Sequence, residues 1–151
     1  MRTLRRVVWI AVLTGMAQSQ SRTTLLINSS NAKRQPLLYV FAASPASEKF
    51  SRQYQLLSMN TKLIADMHIL IVPIMSSFLT MGWPPGLQVE MTDEAARTAA
   101  RKCWGWQDGK QEFLVALVDE DGRLKLRSHV PVTNERIRES LLLRHYSHNV
   151  P

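Results

Sequence analysis

Glu112–Ser128 reads EFLVALVDEDGRLKLRS. An apolar run leads into an acidic turn closed by Asp121-Gly122, and a basic, alternating run follows. Asp-Gly between two such runs is a strong short-range hairpin signal, because the turn needs a positive φ that glycine supplies without strain. Phe113 to Val118 is apolar throughout, the pattern of a strand covered on both faces. The return strand sets Leu124 and Leu126 against Arg123, Lys125 and Arg127, which predicts one wet, basic face. Those three cations are expected to be solvated; a weak polyanion contact is their functional alternative.

Outward from the hairpin, the chain resolves into three more units. Downstream, Thr133 is expected to cap a last helix, with Val132 and Ile137 at the two positions of a hydrophobic staple. Upstream, Thr92 is expected to cap a helix with Asp93 and Glu94 in its first turn. Ala96, Ala99, Ala100 and Cys103 share its face, and Gly105 ends it as a left-handed cap. Further back, Leu37–Ala42 is a second continuous apolar run. Ser44-Pro45 then predicts a helix start, with the helix reaching Asp66 on the stripe Phe50, Tyr54, Leu57 and Ile64. His68–Val72 is the next strand, and Pro73 suggests that it lies at a sheet edge or ends there. Residues 76–91 are the least regular, with the turn signal Pro84-Pro85-Gly86.

The resulting order is β-α-β-α-β-β-α. Two strands joined through a helix are parallel with a right-handed crossover, and the hairpin adds an antiparallel pair. This is the order of the thioredoxin core: a mixed four-stranded sheet with helices on both faces. The same residues resemble the DUF4174 domain family. The likeness rests on Pro36-Leu-Leu-Tyr-Val-Phe-Ala-Ala-Ser44, on Ile69-Leu-Ile-Val72, and above all on the Asp-Gly turn followed by Leu-Lys-Leu-Arg-Ser128. It covers roughly residues 35–145. It implies a secreted, thioredoxin-like domain with no established activity in bacteria; related domains occur in animal extracellular-matrix proteins linked to adhesion. The chain departs from a thioredoxin-type oxidoreductase in two places. Where Cys-x-x-Cys would stand, it reads Ala43-Ser44-Pro45-Ala46-Ser47. Where a proline would precede the third strand, it reads Gln107-Asp-Gly-Lys-Gln-Glu112. Disulfide exchange through a thiolate at that helix start is excluded.

Residues 1–19 fit a secretory signal: a basic start (Arg2, Arg5, Arg6), an apolar run from Val7 to Leu13, and small residues for cleavage near 17–19. That run is too short to span a membrane, so no span is expected once the signal is removed. Residues 20–35 read as an extended lead-in, 36–146 as the domain and 147–151 as a tail. The expected location is periplasmic or extracellular. The formal charge of +7 falls to 16 − 12 = +4 without the three signal arginines, a mild excess that lends weak support to a polyanion partner. Basic residues are not interleaved with aromatics, and no nucleic-acid motif is present, so specific nucleic-acid binding is not expected.

No catalytic constellation stands out. Cys103 is the only cysteine, so no intramolecular disulfide forms and the core must carry the stability alone. A one-cysteine peroxidase or mixed-disulfide role would need a depressed thiol pKa; a position near a helix C-terminus on an alanine face points instead to packing. Ser44 and Ser47 mark a helix start where an anion can bind, with plain capping as the bland account. No His–Asp pair activates either serine. His68, His129, His145 and His148 lack ligand spacing, so no metal is expected, and no cofactor. Asp119-Glu-Asp-Gly122 lacks the rest of a calcium loop. Trp83 with Phe78 and Met81 forms either an apolar recognition surface or a loop folded back on the core. The expected function is a non-catalytic binding or structural module whose partner would be an envelope or matrix protein or a polyanion; the alternative is an atypical redox protein using Cys103.

Overall fold

Leu37–Ala42 forms strand β1, buried at all six positions. It runs parallel to β2 (Leu70–Met75) and antiparallel to β4 (Phe113–Val118), which is also buried along its whole length. The computed structural model describes residues 34–75 and 82–143. Beyond these three strands lie β3 (Gln88–Val89) beside β2 and β5 (Leu124–Ser128) beside β4, giving the order β3-β2-β1-β4-β5. The helices are α1 (Glu48–Met59), α2 (Thr61–Asp66), α3 (Glu94–Trp104) and α4 (Asn134–Leu142).

Alternation of side chains divides the core into two layers. Leu38, Val40, Ile71, Val115 and Leu117 point to the side covered by α1, α2 and α4, where Phe50, Leu57, Ile64 and Ile137 meet them. Tyr39, Phe41, Val72, Leu114 and Ala116 point to the other side, which α3 covers through Ala100. A parallel β1–β2 pair, an antiparallel β1–β4–β5 meander and helices on both faces make this a thioredoxin-like α/β fold.

The sheet has five strands, not four. The extra strand, β3, lies in the segment expected to be irregular and pairs only with Leu70 and Ile71. Among the described residues, β2 is therefore paired on this side only at its start. Leu70 N–H donates to Pro36 O on the β1 side at 2.9 Å, and Ile71 O accepts from Glu90 N–H on the β3 side at 2.9 Å. By the same alternation Pro73 faces the β3 side, past the point where β3 has ended. The missing proline donor is thus aimed where no partner strand asks for it.

Several boundaries differ from expectation: β2 runs past Pro73 to Met75, and three further differences have a local reason. The first long helix is two. Asn60 breaks it at φ −146°, ψ 67°, and its Oδ1 accepts from Leu63 N–H at 3.2 Å to start α2. β2 begins at Leu70 because His68 takes a left-handed φ of 53° after α2. α3 is capped by Asp93, whose Oδ1 accepts from Ala96 N–H at 2.7 Å, one residue later than the expected Thr92. Ala99 is exposed, and Arg97 takes a buried place on that helix. The Gly105 cap (φ 65°), the Thr133 cap and the buried Val132–Ile137 pair stand as expected.

Gln53 is fully buried on α1 and was not expected in the core. Its Nε2 donates to Val132 O at 3.0 Å, and its Oε1 accepts from Val132 N–H at 2.7 Å. One amide thereby satisfies both backbone groups of the residue that leads into α4. Gln53→Ala would leave both unpaired in the core, at about 1–3 kcal/mol each. We expect a loss of roughly 2–4 kcal/mol in urea unfolding at unchanged m-value; a loss under about 0.5 kcal/mol, the range of a surface change, would refute the tether.

Candidate functional site

The corner where β1 meets α1 is where a thioredoxin-like fold carries its reacting thiols. Here Ser44 Oγ accepts from Ala46 N–H at 3.1 Å, and Ser47 Oγ accepts from Phe50 N–H at 3.2 Å. The N-cap of α1 is Ser47; the expected cap Ser44 closes the turn before it instead. Glu112 lies beside this turn. Its carbonyl accepts from Ala43 N–H at 3.1 Å, and its carboxylate pairs with Lys49 at 3.2 Å on the exposed surface. Both serine oxygens are occupied by local backbone amides, so neither is set up as a nucleophile.

Cys103 is half-buried, forms no disulfide, and occupies the last turn of α3. α3 covers the opposite face of the sheet from α1, so the thiol and the serine corner do not share a site. The helix C-terminus disfavours a thiolate. Cys103 lies close enough to Tyr39 to act on its phenol. Burial, then Cys103, then Glu90 raise the Tyr39 pKa well above the usual phenol range.

Trp83 packs its ring edge-on to Phe50 at 6.1 Å and lies 5.5 Å from Tyr54, whose hydroxyl donates to Gly82 O at 2.8 Å. It extends the core between α1 and the sheet. This part of the loop folds back rather than presenting a free apolar surface; Phe78 and Met81 lie outside the described residues, as do His145 and His148.

The basic strand face is split. A bulge between Leu117 and Val118 leaves Lys125 opposite no residue: Leu126 pairs with Leu117, and Leu124 with Val118. Lys125 turns to the α4 side, where Nζ donates to Leu143 O at 2.9 Å and its side chain is only 9% exposed. Arg127 reaches across the other face, Nη2 donating to Trp104 O at 3.3 Å. Arg123 stays exposed, 3.9 Å from Asp121. The three cations therefore do not share the one wet face that strict alternation predicts. At the turn, Asp119 Oδ1 accepts from Asp121 N–H and Arg123 N–H, and Gly122 supplies φ 81°, which fits a hairpin and spends the oxygen a calcium loop would need.

A crevice opens between α3 and the sheet, lined by Leu37, Tyr39, Leu70, Val72, Ile74, Glu90, Thr92, Ala96 and Ala100. Its room of about 20 Å³ admits a group the size of a water molecule. Beside it, Arg97 is bound to Glu94 at both Nε and Nη2 and donates from Nη1 to Thr92 O at 2.8 Å. The Arg97 contact also holds the Glu94 carboxyl below its ordinary pKa. The sequence singles out neither Tyr39 nor Glu90 as a site residue, and Thr92 only as an expected helix cap. The available signal was Tyr39, the one polar tip in an otherwise apolar strand.

Among the described residues, no group of three or more His, Cys, Asp or Glu is placed to hold a metal ion, and no helix is long and apolar enough to cross a membrane. No family model matches the chain, and no curated protein matches it. Solved structures do. A conserved protein of unknown function from Bacteroides fragilis aligns over 71% of this chain and 80% of its own, at 14% identity and TM-score 0.45. A thioredoxin-like protein from Bacteroides caccae aligns over 71% of this chain and 39% of its own, at 16% identity and TM-score 0.46. Trgpx in its apo form aligns over 72% and 82%, at 18% identity and TM-score 0.40. No activity, substrate or partner transfers at such values.

The buried phenol gives a pH signature. The folded pKa of Tyr39 is raised above the unfolded value of about 10, so its contribution to stability is complete below about pH 10 and is lost as pH rises towards the folded value. We expect unfolding free energy to fall between about pH 10 and 11, and Tyr39→Phe to flatten that fall. An identical slope in the variant would show that the phenol titrates normally.

Proposed function

We propose that the chain is an exported thioredoxin-like domain of the DUF4174 kind that serves as a non-catalytic binding or structural module. One observation carries this reading. The corner that the fold reserves for thiol chemistry holds two serines whose oxygens accept from local backbone amides, Ser47 as the α1 cap and Ser44 in the turn before it. The lone cysteine sits on the opposite face, at a helix end whose dipole opposes thiolate formation. Export is supported by the basic and apolar pattern of residues 1–19, which lie outside the described residues.

Peroxide reduction and insulin-disulfide reduction, each with a dithiol regenerant, test the reading. Wild type and Cys103→Ser are expected to give the same background rate. Turnover that disappears in Cys103→Ser would establish the redox alternative. Secretion is checked separately by N-terminal sequencing after expression in a secreting host: the mature chain is expected to start within about three residues of position 19, and an intact Met1 on the recovered protein would rule the signal out.

A further inference from the structure

Three side chains with oxygen tips, Tyr39, Glu90 and Thr92, line the crevice between α3 and the sheet. Tyr39 is 2% exposed. Its phenol is acted on by burial and by the charges of Cys103 and Glu90. The Thr92 hydroxyl is buried and has no hydrogen-bond partner. The exposed Glu90 carboxylate takes part in none of the ion pairs among the described residues. The nearby cation, Arg97, is committed to Glu94 and to the Thr92 carbonyl. Buried polar groups are rarely left unpaired, at a cost of about 1–3 kcal/mol each. One such hydroxyl, that of Thr92, beside the Tyr39 phenol and the exposed Glu90 carboxylate on an apolar-walled crevice, fits the general form of a small-ligand site.

We propose that this crevice binds a primary alkylammonium group. An –NH3+ carries three donors and no acceptor, which matches three oxygens able to accept, one of them anionic. The head group is close to water in size and fits the room available, while Leu37, Leu70, Val72 and Ala96 give an alkyl stem an apolar wall. A carboxylate would meet Glu90 with like charge. The assignment goes beyond the module reading and is independent of whether Cys103 reacts.

Amide chemical shifts of the full chain test it, at constant ionic strength, with n-butylammonium chloride, 1-butanol and sodium butyrate as probes. Butylammonium is expected to give saturable shifts at Glu90, Thr92, Ala96 and Ala100. Butanol should bind about tenfold more weakly, and butyrate not at all. Glu90→Gln should weaken butylammonium about tenfold, equivalent to about 1.4 kcal/mol, at an unchanged unfolding midpoint because the residue is exposed. Thr92→Val gives a second, independently folded variant with a smaller loss. Butanol binding as tightly as butylammonium, saturable butyrate binding, no saturable shift, or full affinity in Glu90→Gln would each overturn the proposal. An Nα-acetyl-lysine methylamide arm separates the sources: binding at least as tight as butylammonium identifies a peptide lysine, and weaker binding a free amine.

Discussion

β1 has no wet side and no free edge. Leu37 to Ala42 is hydrogen-bonded to β2 on one flank and β4 on the other, and both of its faces lie under helices. Each six-residue partner matches it residue for residue, so a slip of one position would carry Tyr39 into the layer of Leu38 and Val40. The two core layers, the placing of three helices on one face and one on the other, and the floor of the α3 crevice all follow from that register. With no disulfide in reach, burial of these strands carries the stability that covalent staples often carry in small exported domains.

Several side chains that depart from the apolar plan have a structural reason. Gln53 replaces a missing strand partner for Val132. Trp106 stacks on Phe41 at 5.6 Å and donates from Nε1 to Asp108 at 2.7 Å, which fixes the chain between α3 and β4. Arg97 is neutralised by Glu94 within one helical turn. Tyr39, Glu90 and Thr92 gather where α3 leaves a gap over β1 and β2 rather than at the corner that the fold is known for.

The parts of this architecture that rest on periodicity were legible in the sequence. β1, β4 and β5 have the bounds that their apolar runs and the Asp-Gly turn indicate, and the Thr133 cap with its staple was readable from three residues. What escaped was set by contacts distant in sequence. β3 is two residues long and carries no periodic signal; it exists because Glu90 meets Ile71 across the sheet. The split of the first helix came from Asn60, whose capping strength outweighed an uninterrupted apolar stripe. The bulge at Lys125 could not be seen, because alternation assumes the unbroken register that the bulge removes. The crevice joins residues from β1, β2, the β3–α3 connection and α3, a combination no local pattern reveals.

Pro73 and the Lys125 bulge have a joint consequence. A sheet ends in two rows of backbone groups, and another chain can extend it by pairing with either row. On the β2 side, the stretch that no described strand pairs contains a residue with no donor. On the β5 side, the ladder is broken at a lysine tucked toward α4 and flanked by two arginines. Both margins are poor templates for a further strand. A chain with an interior this apolar is thereby protected against strand-by-strand growth into fibrils, the hazard that central strands like β1 and β4 would pose if their own margins were ever exposed.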